Sequence, residues 1–287
     1  MLETFGDGVV LPEQYRAKVQ ARPELTQYAS GVKWVADLPA ALAIASGAVI
    51  AVAPQAQPSL VTRCCASASV QTIILEKPVA VTPAQARATL EEVAKAAKRF
   101  RIGYTFLHTN WFEGLLCSEA IVRDSRLKVT WGFMAHHFAN GLVNWKVKHS
   151  EGGGALRFYG IHLVAVLARL GYVAAARSTL FGAEADHVER WTATFTGPGL
   201  PDADVDVDTR SSGNCFTIAA ESSGRIERLV DLTDPFAEID LDRTGDRRID
   251  VLKRLLGSLE SSDTSYAAAC DSINRLWQQT EAVSTYG

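Results

Sequence analysis

The chain has 287 residues, of which 47% are hydrophobic and 21% are charged, so it can bury the core of one or two ordinary domains. A formal net charge of −3 excludes a strongly basic surface for nucleic acid, and no apolar run is long enough to predict a membrane span. The start of the chain predicts no signal peptide, and five cysteines without a C-x-x-C spacing favour reduced thiols in the cytoplasm.

Helices and strands alternate along the first third of the chain. A helix is predicted after Leu11-Pro12, a second helical stretch at 23–28 and a short strand at 32–35. The pattern then predicts a helix at 38–45 capped by Asp37, a strand at 48–53 buried on both faces, a helix at 59–67, a strand at 70–75, a helix at 84–99 capped by Thr82, and a strand at 101–106. This alternation favours a parallel sheet with helical crossovers, the α/β class.

The pattern changes after about residue 110. Period-two alternation predicts strands at 127–135, 178–182, 190–195, 204–209, 214–220 and 225–230, and helices are predicted at 111–123, 154–170, 247–259 and 266–283. These elements predict an α+β half with an open, mainly antiparallel sheet. We therefore divide the chain into a domain at 1–106 and a second domain, for substrate binding and oligomerisation, at 107–287.

Glu76-Lys77-Pro78 follows the predicted strand at 70–75. Side chains at the carboxyl end of a parallel strand face the ligand crevice, and a desolvated lysine can be tuned toward neutrality for acid–base work. Lys77 is therefore a candidate catalytic residue. The alternative is a surface lysine in a tight turn.

A second segment joins Asn144-Trp145 to three glycines at 152–154 and then to Gly160-Ile161-His162. The glycines permit close backbone approach before an apolar helix. His162 is a candidate proton donor or acceptor, and the alternative is a core histidine packed against Leu163 and Val166.

Together the two segments resemble the Gfo/Idh/MocA family of sugar and polyol oxidoreductases. The resemblance implies that Lys77 and His162 face each other across the active crevice, that the first domain is Rossmann-like, and that subunits pair as a homodimer through the open sheet. Five further residues are expected to bind a small-molecule substrate, from their positions after a strand end or beside His162: Tyr104, His108, Trp145, Arg157 and Tyr159.

The chain also departs from that family. Phe158 stands where relatives commonly carry an aspartate, and Ala165 stands where another aspartate is frequent. Only Gly6 and Gly8 are spaced like the beginning of G-x-G-x-x-G, with no strand-length apolar run before them. We therefore expect a reduced Rossmann-like domain whose dinucleotide-binding residues are unknown, and no cofactor.

Three functions remain open. The first is cofactor-independent acid–base chemistry by Lys77 and His162 on a sugar or another hydroxylated metabolite, such as elimination, isomerisation or rearrangement. The second is an NAD- or NADP-dependent sugar oxidoreductase with an unusual cofactor loop, and the third is a non-catalytic scaffold subunit. No metal site is predicted, because the adjacent His136 and His137 point to opposite faces of a strand and the aspartates at 202–208 lack the glycine and glutamate of a calcium loop.

Overall fold

The computed structural model describes residues 17, 35, 37–121, 124–184, 186–237 and 248–287. The predicted elements at 11–35 and the incomplete glycine loop at Gly6 and Gly8 lie outside these residues, with the exception of single positions. None of the helices in the described ranges is long and apolar enough to cross a membrane.

A three-stranded parallel sheet forms the first half, in the order β1-β2-β3. Its strands are β1 (Gly47–Ile50), β2 (Thr72–Leu75) and β3 (Arg99–Ile102), and its helices are α1 (Leu38–Ile44), α2 (Gln57–Ala66) and α3 (Pro83–Lys95). The predicted caps are confirmed, because Asp37 Oδ1 accepts from Ala40 N at 2.7 Å and Thr82 Oγ1 accepts from Gln85 N at 3.3 Å. The parallel α/β half is therefore present.

Two strands of this sheet differ from the prediction. The strand expected at 48–53 ends at Ile50 and is not buried on both faces, since Val49 is 71% exposed. Among the described strands β1 pairs only with β2. β3 ends at Ile102, and a 3₁₀ turn at Thr105–His108 takes the place of the predicted strand end.

The second half is built on a seven-stranded mixed sheet in the order β10-β5-β6-β7-β4-β8-β9. Four of its neighbouring pairs are antiparallel, and only β10–β5 and β4–β7 are parallel, so the prediction of an open, mainly antiparallel sheet is confirmed. Its strands are β4 (Arg126–Met134), β5 (Ala174–Phe181), β6 (Arg190–Thr196), β7 (Asp202–Asp208), β8 (Arg210–Ser222), β9 (Arg225–Leu232) and β10 (Ser284–Tyr286).

The remaining helices are α4 (Asn110–Leu116), the one-turn α5 (His136–Ala139), α6 (Ile161–Leu170), α7 (Arg248–Gly257) and α8 (Asp263–Ala282). A π-helical turn, Ala155–Gly160, leads directly into α6. The long α8 packs against α6 and β5 and also against α3 and β3. It therefore ties the two sheets together.

The face of the large sheet that α6 does not cover is polar. Ion pairs cross it between neighbouring strands: Arg126 with Asp204, Arg190 with Asp206, and Lys128 with Glu221. Two aspartates of β7, Asp204 and Asp206, are thus partners of arginines. Pairing of two subunits through this face remains a prediction.

Glu281 near the end of α8 holds the π-helical turn in place. Its carboxylate accepts from Arg157 Nε at 2.8 Å and Nη2 at 2.9 Å, and also from Trp277 Nε1 at 2.9 Å. Burial raises the pKa of Glu281, but His149 and Arg157 beside it outweigh that effect and lower the pKa to about 2. The folded state therefore holds the ionised carboxylate more tightly than the unfolded chain does.

The stabilisation of the folded state by the Glu281 carboxylate must depend on pH. Because the pKa of Glu281 is depressed from its ordinary 4.5, its stabilisation is fully present above that value and is lost as the pH falls toward 2. We expect the free energy of unfolding, measured by urea titration, to fall over this range by about 2–3 kcal/mol more in the native protein than in Glu281→Gln. Glu221→Gln, which removes the half-buried partner of Lys128 on the large sheet, is the matched control and should keep the native pH dependence. Equal slopes for the native protein and Glu281→Gln would contradict the role given to Glu281.

Candidate active site

Lys77 lies directly after β2, at the carboxyl edge of the parallel sheet. The turn is fixed on both sides, because Glu76 N donates to Ile50 O at 3.0 Å and Gln57 Nε2 donates to Pro78 O at 2.7 Å. The half-buried Lys77 ammonium crosses to the other half of the chain, where Nζ donates to Phe158 O at 2.6 Å. The Lys77 side chain thus joins the end of β2 to the π-helical turn at Ala155–Gly160.

The glycine segment permits this close meeting. Gly152 has a φ of +91°, and a Cβ added there would lie 2.9 Å from Pro54 Cγ, just after β1. A Cβ on Gly153 would lie 2.2 Å from Trp145 O, so no other residue fits at this position without moving the backbone. The predicted role of the triplet in close backbone approach is confirmed.

Phe158 lies at the centre of the site. Lys77 Nζ is 3.7 Å from the centroid of its ring, and Lys146 Nζ is 5.5 Å from the same centroid. Trp145 packs edge-on against the ring with the centroids 5.1 Å apart, and Tyr159 packs at 4.7 Å. An aromatic face thus replaces the anion that an aspartate at this position would supply.

This environment changes the charge of Lys77. Burial lowers its pKa most strongly, Glu76 opposes that shift, and Lys146 adds to it, so that the pKa falls from 10.5 to about 7. A lysine with such a pKa is neutral in about half of the molecules near pH 7 and can both accept and donate a proton. The predicted tuning of this lysine thus has a physical cause in the structure.

His162 is buried on the first turn of α6 and stacks on Phe106, with ring centroids 4.6 Å apart and an angle of 19°. Burial and the nearby Lys77 lower its pKa well below 6.5, so the imidazole is neutral at physiological pH. Nδ1 is buried and has no hydrogen-bond partner within the described part of the chain. A buried nitrogen of this kind is costly unless a ligand or water satisfies it.

A second histidine lies close to this group. His137 on α5 is buried, its Nδ1 lies 3.4 Å from Tyr159 Oη, and its Nε2 lacks a partner among the described residues. Burial first, then Lys146 and His136, lower the pKa of His137 to about 4. Burial also raises the pKa of Tyr159. Both groups are therefore neutral polar groups beside Lys77 and Phe158.

The structure brings together some of the predicted site residues and separates others. Lys77, Trp145 and Tyr159 contact Phe158, and His162 lies close enough to Lys77 for the charge of the lysine to lower the pKa of the histidine. The Arg157 side chain instead pairs with Glu281 and donates to His149 O at 2.7 Å. Tyr104 and His108 line a different cavity, against α8.

Sequence reasoning missed three residues of the site: Phe106, His137 and Lys146. The sequence pattern predicts Phe106 only as the last residue of a strand. His137 was treated as an ordinary histidine of a strand, whereas it begins a helical turn whose buried side chain faces Tyr159. Lys146 could be predicted as a site residue from the sequence, because it directly follows Trp145, which the sequence already assigns to the site.

Comparison with known proteins gives the fold. No protein-family profile matches the chain, and no curated protein sequence is similar to it. Solved structures do match: the WlbA dehydrogenase from Bordetella pertussis in complex with NADH and UDP-GlcNAcA has 12% identity and a TM-score of 0.66, over 95% of this chain and 86% of that chain.

Two further structures are similar to the same extent. KijD10, a 3-ketoreductase from Actinomadura kijaniata in complex with NADP and TDP-benzene, has 13% identity and a TM-score of 0.64, over 93% of this chain and 88% of that chain. A levoglucosan dehydrogenase in complex with NADH and levoglucosan has 14% identity and a TM-score of 0.66, over 91% and 86%. The chain has the fold of the Gfo/Idh/MocA-type oxidoreductases, and the resemblance stated from the sequence is confirmed.

The expectation that the chain needs no cofactor is wrong. Structures of this fold hold NADH or NADP, and they match nearly the whole chain. The expectation rested on the incomplete glycine pattern at Gly6 and Gly8. The parallel sheet that β1, β2 and β3 form is stronger evidence on the type of ligand site. In open parallel α/β sheets, ligands bind in the crevice outside the carboxyl ends of the strands.

The lowered pKa of Lys77 can be tested directly. In Phe158→Asp a carboxylate replaces the ring beside Nζ, so the pKa of Lys77 should rise by at least about one unit. The rate at which acetic anhydride labels Lys77, followed by mass spectrometry as a function of pH, reports the midpoint. Phe158→Leu removes the ring without adding charge and should stay near the native midpoint; a Phe158→Asp midpoint equal to that of Phe158→Leu would mean that the side chain at 158 does not face Lys77.

Proposed function

We propose that the protein is an NAD- or NADP-dependent oxidoreductase acting at a hydroxyl or carbonyl carbon of a sugar or another hydroxylated metabolite. The observation that carries the proposal is the meeting of Lys77 with Phe158 O and His162 at the carboxyl edge of a parallel sheet. The dinucleotides in structures of the same fold support it, and so do the sugar ligands UDP-GlcNAcA and levoglucosan in two of them.

The described residues fit the nicotinamide end of such a cofactor. The segments 51–54 and 76–78 follow β1 and β2 at one edge of the sheet, and Gly152 packs against Pro54 there without a side chain of its own. Gln57 Oε1 and His162 Nδ1 are buried near these segments and lack partners among the described residues. We infer that segments 51–54 and 76–78 hold the nicotinamide end.

The bound dinucleotide would supply the hydride acceptor or donor. Lys77 would hold the proton that the reacting hydroxyl loses or the carbonyl oxygen gains, because its pKa of about 7 allows both directions. His162 is neutral and would hydrogen-bond the same oxygen or its neighbour through an otherwise unsatisfied nitrogen. Tyr159 and Trp145 would position the sugar ring, and Arg157 would act indirectly, by fixing the π-helical turn.

We also infer that the protein is a homodimer that pairs through the polar face of the seven-stranded sheet. The three ion pairs on this face lie between strands of one subunit, so the face presents side chains of both charges to a partner. Light scattering on the native protein and on Thr130→Arg, a charge added at an exposed position of β4, tests the interface. A native monomer at micromolar concentration would contradict it.

The proposed cofactor can be measured by titration. We expect NADH or NADPH to bind with a dissociation constant between about 1 and 100 µM, by calorimetry or by the fluorescence of the reduced nicotinamide. Native binding of either dinucleotide weaker than about 1 mM would contradict the proposed function.

The roles of Lys77 and His162 can be tested against a purely structural role. Lys77→Met and His162→Gln should each lower kcat by about 100-fold or more, because each removes a group proposed to contact the reacting oxygen. The assay follows the absorbance of the reduced nicotinamide at 340 nm with a sugar that the native protein oxidises. The thermal midpoint should change by no more than about 3 °C. Lys128→Met, an exposed lysine on the large sheet, is the control and should keep native activity. If His162→Gln lowers stability and spares turnover, His162 is a core histidine.

A further inference from the structure

A second cavity lies on the other side of the 3₁₀ turn at 105–108 from His162. Phe106 stacks on His162, whereas Tyr104, Leu107 and His108 line a cavity of about 220 Å³ between this turn, α4, α6 and the start of α8. Its volume is below that of a site for a drug-sized molecule. It is separate from the crevice at Lys77, since no residue that contacts Lys77 lines it.

One wall of this cavity is held rigidly by Arg101. The guanidinium on β3 is fully buried, donates to the carbonyl oxygen of Ser258, and pairs with Asp263 Oδ1 at 2.8 Å. It also lies 4.4 Å from the ring centroid of Tyr266, whose hydroxyl accepts from Ile102 N at 2.7 Å. The residues Ser258 and Tyr266 are thus fixed before any ligand arrives, which lowers the entropic cost of binding.

Three polar side chains on the cavity have no partner in the described part of the chain. The hydroxyl of the buried Tyr104, the imidazole of the half-buried His108 and the guanidinium of the exposed Arg169, at the cavity mouth, line it, and none of them pairs with another described residue. Burial first, then Arg254 and Arg101, lower the pKa of His108 to about 4, so its ring is neutral. Among the described residues that line the cavity, Arg169 therefore carries the charge, which is positive.

The rest of the lining is apolar or already paired. Leu107, Phe112 and Ile273 contribute aliphatic and aromatic surface. None of the described lining residues is acidic, and the nearby carboxylate of Asp263 is already paired with Arg101. A ligand that complements this lining has one negative charge, an apolar body and a small volume.

We propose that this cavity binds a small monocarboxylate with an aromatic or branched apolar body, whose carboxylate pairs with Arg169 and whose body packs against Leu107, Phe112 and Tyr266. The site goes beyond the proposed oxidoreductase function and uses none of its residues. Two of its polar groups, Tyr104 and His108, are among the five residues that the sequence assigns to the substrate.

Phenylacetate and its neutral amide, phenylacetamide, are suitable probes for titration by NMR on the full-length protein. We expect phenylacetate to bind with a dissociation constant between about 0.1 and 3 mM, and phenylacetamide to bind at least about 10-fold more weakly. Arg169→Met keeps the length of the side chain but loses its charge, and should weaken phenylacetate about 10-fold. Arg177→Met, an exposed arginine of β5 outside the cavity lining, should leave binding unchanged.

Two further variants locate the probe. Ala269→Leu fills the cavity from α8 and should abolish binding of both probes, while NADH binding is unchanged and shows that the fold is intact. Lys77→Met should bind phenylacetate like the native protein. The proposal is overturned if phenylacetate does not bind the native protein at about 20 mM, if phenylacetamide binds equally well, or if Arg169→Met has no effect. Loss of binding in Lys77→Met, with none in Ala269→Leu, would place the probe in the crevice and would also overturn it.

Discussion

The close approach of the glycine segment at 152–154 to the turn after β1 and to the Trp145 backbone is the constraint on which the site depends. A side chain at Gly153 would overlap Trp145 O, and one at Gly160 would lie 2.6 Å from the ring of the fully buried Trp191. Because both positions lack a Cβ, the π-helical turn can sit against the sheet and the strand ends at once. The Phe158 carbonyl then comes within hydrogen-bonding distance of Lys77, which is 81 residues away in the chain.

The chemistry of the crevice follows from charge and burial. Burial lowers the pKa of Lys77 most strongly, and the charge of Lys146, whose ammonium lies near the same Phe158 ring, adds to that shift. An aspartate at position 158 would have the opposite effect and would keep the lysine charged. The Phe158 ring, 3.7 Å from Lys77 Nζ, therefore adds no negative charge that would oppose the lowering of the lysine's pKa.

Part of this arrangement could be predicted from the sequence. The caps at Asp37 and Thr82 and the alternation of strand and helix are local patterns, and they gave correct elements. The family resemblance of two short motifs implied that Lys77 and His162 lie near each other, and in the structure the charge of Lys77 acts on His162. Patterns of this kind carry no information on the partner of a side chain, so Arg157 was expected at the substrate although its guanidinium is held by Glu281, a residue 124 positions later.

The expectation for the cofactor was wrong for a related reason. The G-x-G-x-x-G motif is a short local pattern, whereas the parallel sheet that carries the site is formed by segments far apart in the chain. The orientation of three parallel strands, each ending at the same edge, depends on long-range pairing that no local motif encodes. The same limit explains Tyr104 and His108: they follow a strand end, but the turn at 105–108 directs them toward α8 and directs Phe106 toward His162.

The central claim is that the carboxyl edge of the parallel sheet, at Lys77 and His162, receives the nicotinamide of a dinucleotide. A crystal structure of the protein soaked with NADH or NADPH tests this most directly. We expect the nicotinamide ring to lie against the turn that holds Lys77 and to contact the residues around Phe158. A dinucleotide bound elsewhere on the chain, or a nicotinamide directed away from both Lys77 and His162, would contradict it.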